Sequence, residues 1–192
     1  MLFLNFSDRP AGNCGSVAAL CSQMLGGQVV NVSELFTQGC GACQTDCFQK
    51  DGACPLPDAP AITALYEAIT AQGACFIVPN YCDWPCSNFF RFCERGCGWF
   101  GIGTERTERY LAAEKHFIVI SNTNRSHFEE IFSEHVPPAR PPHILFLSAA
   151  AYHRVSLRGD LAEVEAVHAV LRDFLPNSAF HKKPPFQTCK AR

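Results

Sequence analysis

Residues 1–20 read MLFLNFSDRPAGNCGSVAAL. The apolar run 1–6 breaks at Ser7 into a turn-rich loop. That loop runs into a helical stretch, SVAALCSQML, which Gly26 and Gly27 end. Strand, polar loop and helix form the opening unit of an α/β fold, and the chain repeats it. QVVNVSEL (28–35) has strand character. APAITALYEAITAQG (59–73) is helical, with Ile62, Leu65, Tyr66 and Ile69 on one face and Gly73 at its end. ACFIVP (74–79) is a buried strand. Pro85 suits the first position of a helix over 85–95, closed by Gly96 and Gly98.

Beyond it, GWFGIGTERTERYLAAE (98–114) reads as a long loop before the strand HFIVIS (116–121). SHFEEIFSE (126–134) is a short helix, VPPARPP (136–142) a stiff connector, and HILFLSA (143–149) a last strand. In DLAEVEAVHAVLRDFL (160–175), Asp160 and Glu163 have capping-box spacing, and Leu161, Val164, Val167, Leu171 and Phe174 share a face. Five apolar strands separated by helices call for a parallel sheet covered on both faces. One domain is expected over residues 1–175, and residues 176–192 form a polar, proline-broken tail.

Composition narrows the function classes. Apolar residues make up 47% of the chain and charged residues 18%, as in a globular protein. A formal net charge of -2 gives no basic excess for nucleic acid. No stretch reaches the length of a membrane span. The N-terminus lacks a basic n-region and a long apolar h-region, so the expected location is cytoplasmic, where thiols stay reduced. In that setting twelve cysteines point to metal or redox chemistry before disulfides.

Ligands in open α/β sheets bind beyond the carboxyl ends of the strands. Three such ends carry polar, turn-forming residues. The first holds Ser7, Arg9, Gly12, Asn13, Cys14, Gly15 and Ser16 and leads into a helix, an arrangement suited to phosphate. The second holds Pro79, Asn80, Tyr81, Cys82, Asp83 and Trp84, with two aromatic side chains able to line a flat ring. The third is Ser121, Asn122 and Thr123. A Ser/Gly/Asn loop before a helix is often only a cap, so the weight lies on the convergence of three loops. Neither G-x-G-x-x-G nor G-x-x-x-x-G-K-[ST] is present, and no G-x-S-x-G elbow supports a hydrolase.

FSDRPAGNCGSVAAL resembles the S-P-R-x-x-G-N-[ST] loop of the flavodoxin-like NAD(P)H-dependent FMN reductases, and VPNYCDWPCSNFFRFCER resembles their S-P-x-Y segment and following helix. The cysteine motif between second strand and second helix is similar to that of the iron–sulfur flavoproteins in this superfamily. The resemblance implies a flavodoxin-like three-layer α/β sandwich with strand order 2-1-3-4-5 and a cysteine-rich loop insertion. It implies FMN, with its phosphate at Ser7, Arg9, Asn13 and Cys14 and its ring against Pro79, Asn80, Tyr81 and Cys82. It also implies NAD(P)H or a redox protein as electron donor, and a homodimer or homotetramer. Two positions depart from the family pattern: Asp8 stands where proline is usual, and Cys14 where Ser or Thr is, with Ser16 a half-turn on.

The insertion is QGCGACQTDCFQKDGACP, residues 38–55, with Cys40, Cys43, Cys47 and Cys54 spaced C-x2-C-x3-C-x6-C-P. Short spacing lets one loop supply several thiolates with little closure entropy, and the interleaved glycines permit tight wrapping. The favoured ligand is a [4Fe–4S] cluster; zinc and free or redox-active thiols stay open. A second set, Cys82, Cys86, Cys93 and Cys97, reads as ordinary packed thiols. Two enzyme readings follow, an iron–sulfur flavoprotein and a plain NAD(P)H-dependent FMN or quinone reductase with structural cysteines. A third reading is a zinc-stabilised flavodoxin-like interaction module without turnover.

Overall fold

The first strand, β1 (Leu2–Asn5), is buried along its whole length, and its pleat decides the layers. Leu2 and Leu4 enter one core while Phe3 enters another on the opposite face. The computed structural model describes residues 1–36, 38–41, 43, 44, 46, 54–100, 104–121, 128–155 and 158–175. Within them β1 pairs in parallel with β2 (Gln28–Asn31) and with β3 (Ala74–Tyr81). β3 pairs with β5 (Lys115–Ser121), and β5 with β6 (His143–Ser148), again in parallel. The sheet order is β2-β1-β3-β5-β6.

The remaining strand, β4 (Trp84–Pro85), is a two-residue antiparallel return paired with the end of β3. It shifts the strand order from the expected 2-1-3-4-5 and corrects the placing of Pro85, which lies in β4 and not in a helix. The architecture is an α/β fold with a mostly parallel sheet flanked by helices, compatible with a flavodoxin-like fold.

α1 (Asn13–Leu25) and α7 (Glu165–Phe174) cover one face through Val17, Ala18, Cys21, Val167 and Leu171. α2 (Ala59–Gln72), α3 (Ser87–Arg95), α5 (Thr104–Ala112) and α6 (Phe128–Ser133) cover the other. That second core is unusually aromatic. Phe6, Tyr66, Phe76, Phe89, Phe92, Phe117 and Phe132 are all fully buried, and their rings meet at centroid distances of 4.2–6.5 Å in stacked, tilted and edge-on pairs. The high phenylalanine count thus serves packing.

Three local expectations are corrected. The region expected as a long loop contains α4 (Cys97–Phe100) and α5, because Trp99 and Tyr110 have an aromatic core to enter. The second strand stops at Asn31 and gives way to a 3-10 turn over Val32–Glu34. Asp160 and Glu163 bound a 3-10 turn, Leu161–Glu163, without a side-chain cap bond, and the helix proper starts at Glu165. The tail expected over 176–192 lies outside the described residues. Among the described residues no helix is long and apolar enough to cross a membrane.

Candidate functional site

β2 lies on one side of β1 and β3 on the other, so the topological switch point falls between β1 and β3. A cavity of about 410 Å³ opens at the carboxyl ends of these strands. Ser7, Arg9, Gly12, Asn13 and Cys14 wall one end, and Pro79, Asn80, Tyr81, Ile120, Ser121 and Val155 the other. The volume lies in the ~300–1,000 Å³ range of small-molecule sites. Nine of these residues are ones that the sequence singles out, brought together from three separate loops.

The loop after β1 is built from its own polar groups. The Asn5 side chain accepts from Ser7 N at 3.0 Å, Ser7 Oγ accepts from Arg9 N at 3.1 Å, and the Arg9 carbonyl accepts from Gly12 N at 3.0 Å. Gly15 has to be glycine, since a Cβ there would stand 1.6 Å from the Pro10 carbonyl oxygen. α1 starts at Asn13, and Gly12 at its N-cap supplies no side-chain acceptor. The first-turn amides and the positive end of the helix dipole therefore sit beside the cavity without a side-chain cap. Arg9 is exposed at the same end.

Both departures from the reductase pattern have a structural answer. Asp8 does not line the cavity; its carboxylate accepts from Asn88 Nδ2 at 2.7 Å, and the same amide donates to the Phe6 carbonyl at 3.0 Å. Cys14 is buried, and desolvation first, then neighbouring Cys86, pushes its thiol well above the ordinary range. It stays neutral and adds no negative charge to that end of the cavity. Ser16 does not compensate for it: its hydroxyl donates to the Asn13 carbonyl at 3.1 Å, inside the first turn of α1.

Asn13 has a second duty. Its Oδ1 accepts from Leu161 N at 3.1 Å, tying the loop to the 3-10 turn at Leu161–Glu163. Gly159 seals the same contact: at φ +74°, a Cβ there would stand 2.2 Å from the Ala11 carbonyl. This is how the segment after β6 reaches the cavity and delivers Val155, a wall residue without a sequence signal. Ile120, the other one missed, is the last apolar residue of its strand before Ser121, and its position there was the available clue.

At the opposite end, Asn80 Nδ2 donates to Ser121 Oγ at 2.8 Å and fixes β3 against β5. The chain then turns back through Cys82 and Asp83, both at positive φ (52° and 66°), to pair Tyr81 with Trp84. Two consecutive positive φ values are the signature of a type I′ hairpin. Tyr81, a wall residue, is 47% exposed, so its ring stands at the mouth of the cavity, and its hairpin partner Trp84 is 50% exposed. Gly15, Ser16, Cys82, Asp83 and Trp84 are near but not in the wall; Asn122 and Thr123 lie outside the described residues.

Of the four cysteines of the insertion, Cys40 is exposed, Cys43 and Cys54 are half-buried, and Cys47 lies outside the described residues. Thiols are soft donors suited to zinc or iron–sulfur chemistry. Among the described residues no three His, Cys, Asp or Glu groups converge on one point, so the fit to a metal rests on donor chemistry alone. In the second set, Cys86 is a packed thiol whose Sγ lies 3.2 Å from the Phe6 carbonyl, whereas Cys82 and Cys97 are exposed. Cys14, Cys21 and Cys75 are buried, as expected for packing thiols. No family model matches this chain, and no curated protein is similar to it.

Proposed function

We propose that the protein is an FMN-dependent oxidoreductase passing electrons between NAD(P)H or a redox protein and an acceptor. One observation carries the reading: a cavity at the switch point of the sheet has an uncapped helix start and an arginine at one end and an aromatic mouth at the other. That polarity suits a phosphorylated planar ring. In this reading Ser7, Arg9 and the first amides of α1 hold the phosphate, while Pro79, Tyr81, Ile120 and Val155 flank the ring. FMN supplies hydride acceptance and single-electron transfer. The protein's part is to bind the ring, orient it and leave one edge open through the aromatic mouth.

The cysteine segment adds a second cofactor to the proposal, a [4Fe–4S] cluster held by Cys40, Cys43, Cys47 and Cys54, and this part is carried by residue spacing. A flavin beside a cluster would join two-electron donors to one-electron acceptors. The fold is then of flavodoxin-like type, and the subunits associate as a homodimer or homotetramer.

Anaerobic purification followed by absorption spectra and iron, sulfide and zinc analysis tests the whole proposal. Flavin bands with a cluster shoulder and about four irons per chain are expected. Flavin without iron would reduce the function to a plain FMN or quinone reductase. Zinc without flavin would replace it with a binding module.

A further inference from the structure

Arg95 ends α3, and its side chain is only 1% exposed. Nη1 donates to the Gln38 carbonyl at 3.0 Å and to Asp58 Oδ2 at 3.0 Å. Nη2 donates to Asp58 Oδ1 at 2.5 Å and to the Cys54 sulfur at 3.6 Å. Gln38 and Cys54 are the two ends of the cysteine-rich segment. A single guanidinium therefore fastens both ends to α3, and buried Asp58 balances its charge in a bidentate pair. Lysine, a point charge, cannot span three acceptors in this fork.

Cys54 is fixed from behind as well. A Cβ on Gly98 in α4 would stand 2.9 Å from the Cys54 Cβ and 3.7 Å from its Cα and N, so the Gly98 backbone packs on Cys54 with no room for a side chain. Cys54 thus lies between a glycine and a charged donor, while Cys40 is exposed to solvent. Closing the segment at its ends also lowers the entropy lost when its sulfurs gather around a ligand.

We infer that Arg95 is a positioning residue for the cysteine site: its N–H···S bond orients Cys54 as a ligand for a soft metal or cluster and draws electron density from the sulfur. This rests on the reading of the segment as a metal site. Hydrogen-bonded partners of metal ligands usually account for about 10- to 100-fold in metal affinity, and bonds to ligand sulfurs help to set cluster potentials.

The test uses the reduced full-length chain, titrated anaerobically with cobalt(II) alone and followed by the sulfur-to-cobalt charge-transfer band. The wild type should show that band. Arg95→Lys keeps a positive charge opposite Asp58 but cannot reach Cys54 and Gln38 together. It should bind cobalt about 10- to 100-fold more weakly, with a displaced band and unchanged flavin retention. Gly98→Val approaches the same bond from the other side, pushing Cys54 off the guanidinium while leaving the Arg95–Asp58 pair intact, and should do the same. If Arg95→Lys loses its near-ultraviolet dichroism and its flavin together, Gly98→Val decides the question. Variants that match the wild type in affinity and band energy would overturn the role of Arg95 while the metal site stands. A wild-type chain without any sulfur–cobalt band would remove the metal site itself, and this inference with it.

Discussion

Arg9 and Asn13 stand side by side in the cavity wall, yet their substitutions should fail in different ways. Arg9 is exposed, and its backbone, not its side chain, shapes the loop through Ser7 Oγ and Gly12 N. Removing its guanidinium removes only what it gives a bound phosphate. A charge-assisted hydrogen bond contributes about 1.5–3 kcal/mol, so under the proposed FMN reading Arg9→Ala should weaken flavin binding by about 10- to 100-fold with little change in unfolding. Flavin fluorescence during equilibrium dialysis reads this directly, and unaltered retention would end the phosphate assignment. Asn13→Ala, by contrast, leaves the buried Leu161 N–H without its acceptor and should lower stability by about 1–3 kcal/mol in a urea titration. The sequence singles out both residues for the phosphate. It could not show that one of them also holds a turn 148 positions away, because that contact exists only once the chain has folded.

At the scale of elements, the strands were legible and the connections were not. β3 and β5 are continuous apolar runs flanked by turn residues, which is the pattern a buried parallel strand must have, and β6, at the sheet edge, carries a similar run of which only the last two residues are buried. α5 was hidden because its TERTER run breaks the apolar period, and α4, only CGWF, is too short to show one; Trp99 and Tyr110 become core residues only against rings from other elements. The β3–β4 hairpin was hidden for another reason: Cys82-Asp83 lacks the Asn-Gly or Gly residues that normally announce a type I′ turn. An L-residue in the left-handed region costs roughly 1–2 kcal/mol. Asp83→Gly, at φ 66°, should therefore raise stability by about 1 kcal/mol, seen as a higher urea midpoint with an unchanged slope. A midpoint that does not move would show that the aspartate side chain offsets the strain through its own contacts.

For the molecule as a whole, the aromatic core that supports β1, β3 and β5 encloses a polar thread that should govern its response to pH. His135 is 6% exposed, with Nδ1 2.8 Å from the Tyr110 hydroxyl and Nε2 3.5 Å from the Cys93 sulfur, inside a ring of phenylalanines that includes Phe89 and Phe117. Burial, and then the charge of Lys115, push its pKa down to about 3. Lys115 is buried beneath the Tyr110 ring, 4.2 Å from its centroid, donates to the Tyr110 and Ala113 carbonyls, and is pushed down by desolvation to about 7. Both are bases held below their unfolded values of 6.5 and 10.5. Across each window the unfolded chain therefore binds more protons than the folded one, and stability falls as pH falls. The Lys115 window runs from about 10.5 down to about 7, and the His135 window from 6.5 down to about 3. The limit for one group is about 1.4 kcal/mol per pH unit. Between pH 6.5 and 4.5 the histidine alone can remove on the order of 2–3 kcal/mol, a large share of the 5–15 kcal/mol that holds a domain of ordinary stability. Urea midpoints should accordingly be highest near pH 10, fall toward pH 7 as the Lys115 window is crossed, and drop again below pH 6.5. His135→Gln keeps an amide to meet Tyr110 while removing the titration, and it should flatten the acid limb although it weakens the core at neutral pH. A wild-type midpoint constant from pH 7 to pH 5 would show that the thread does not govern stability, and an unchanged acid slope in His135→Gln would move the pH response to other groups.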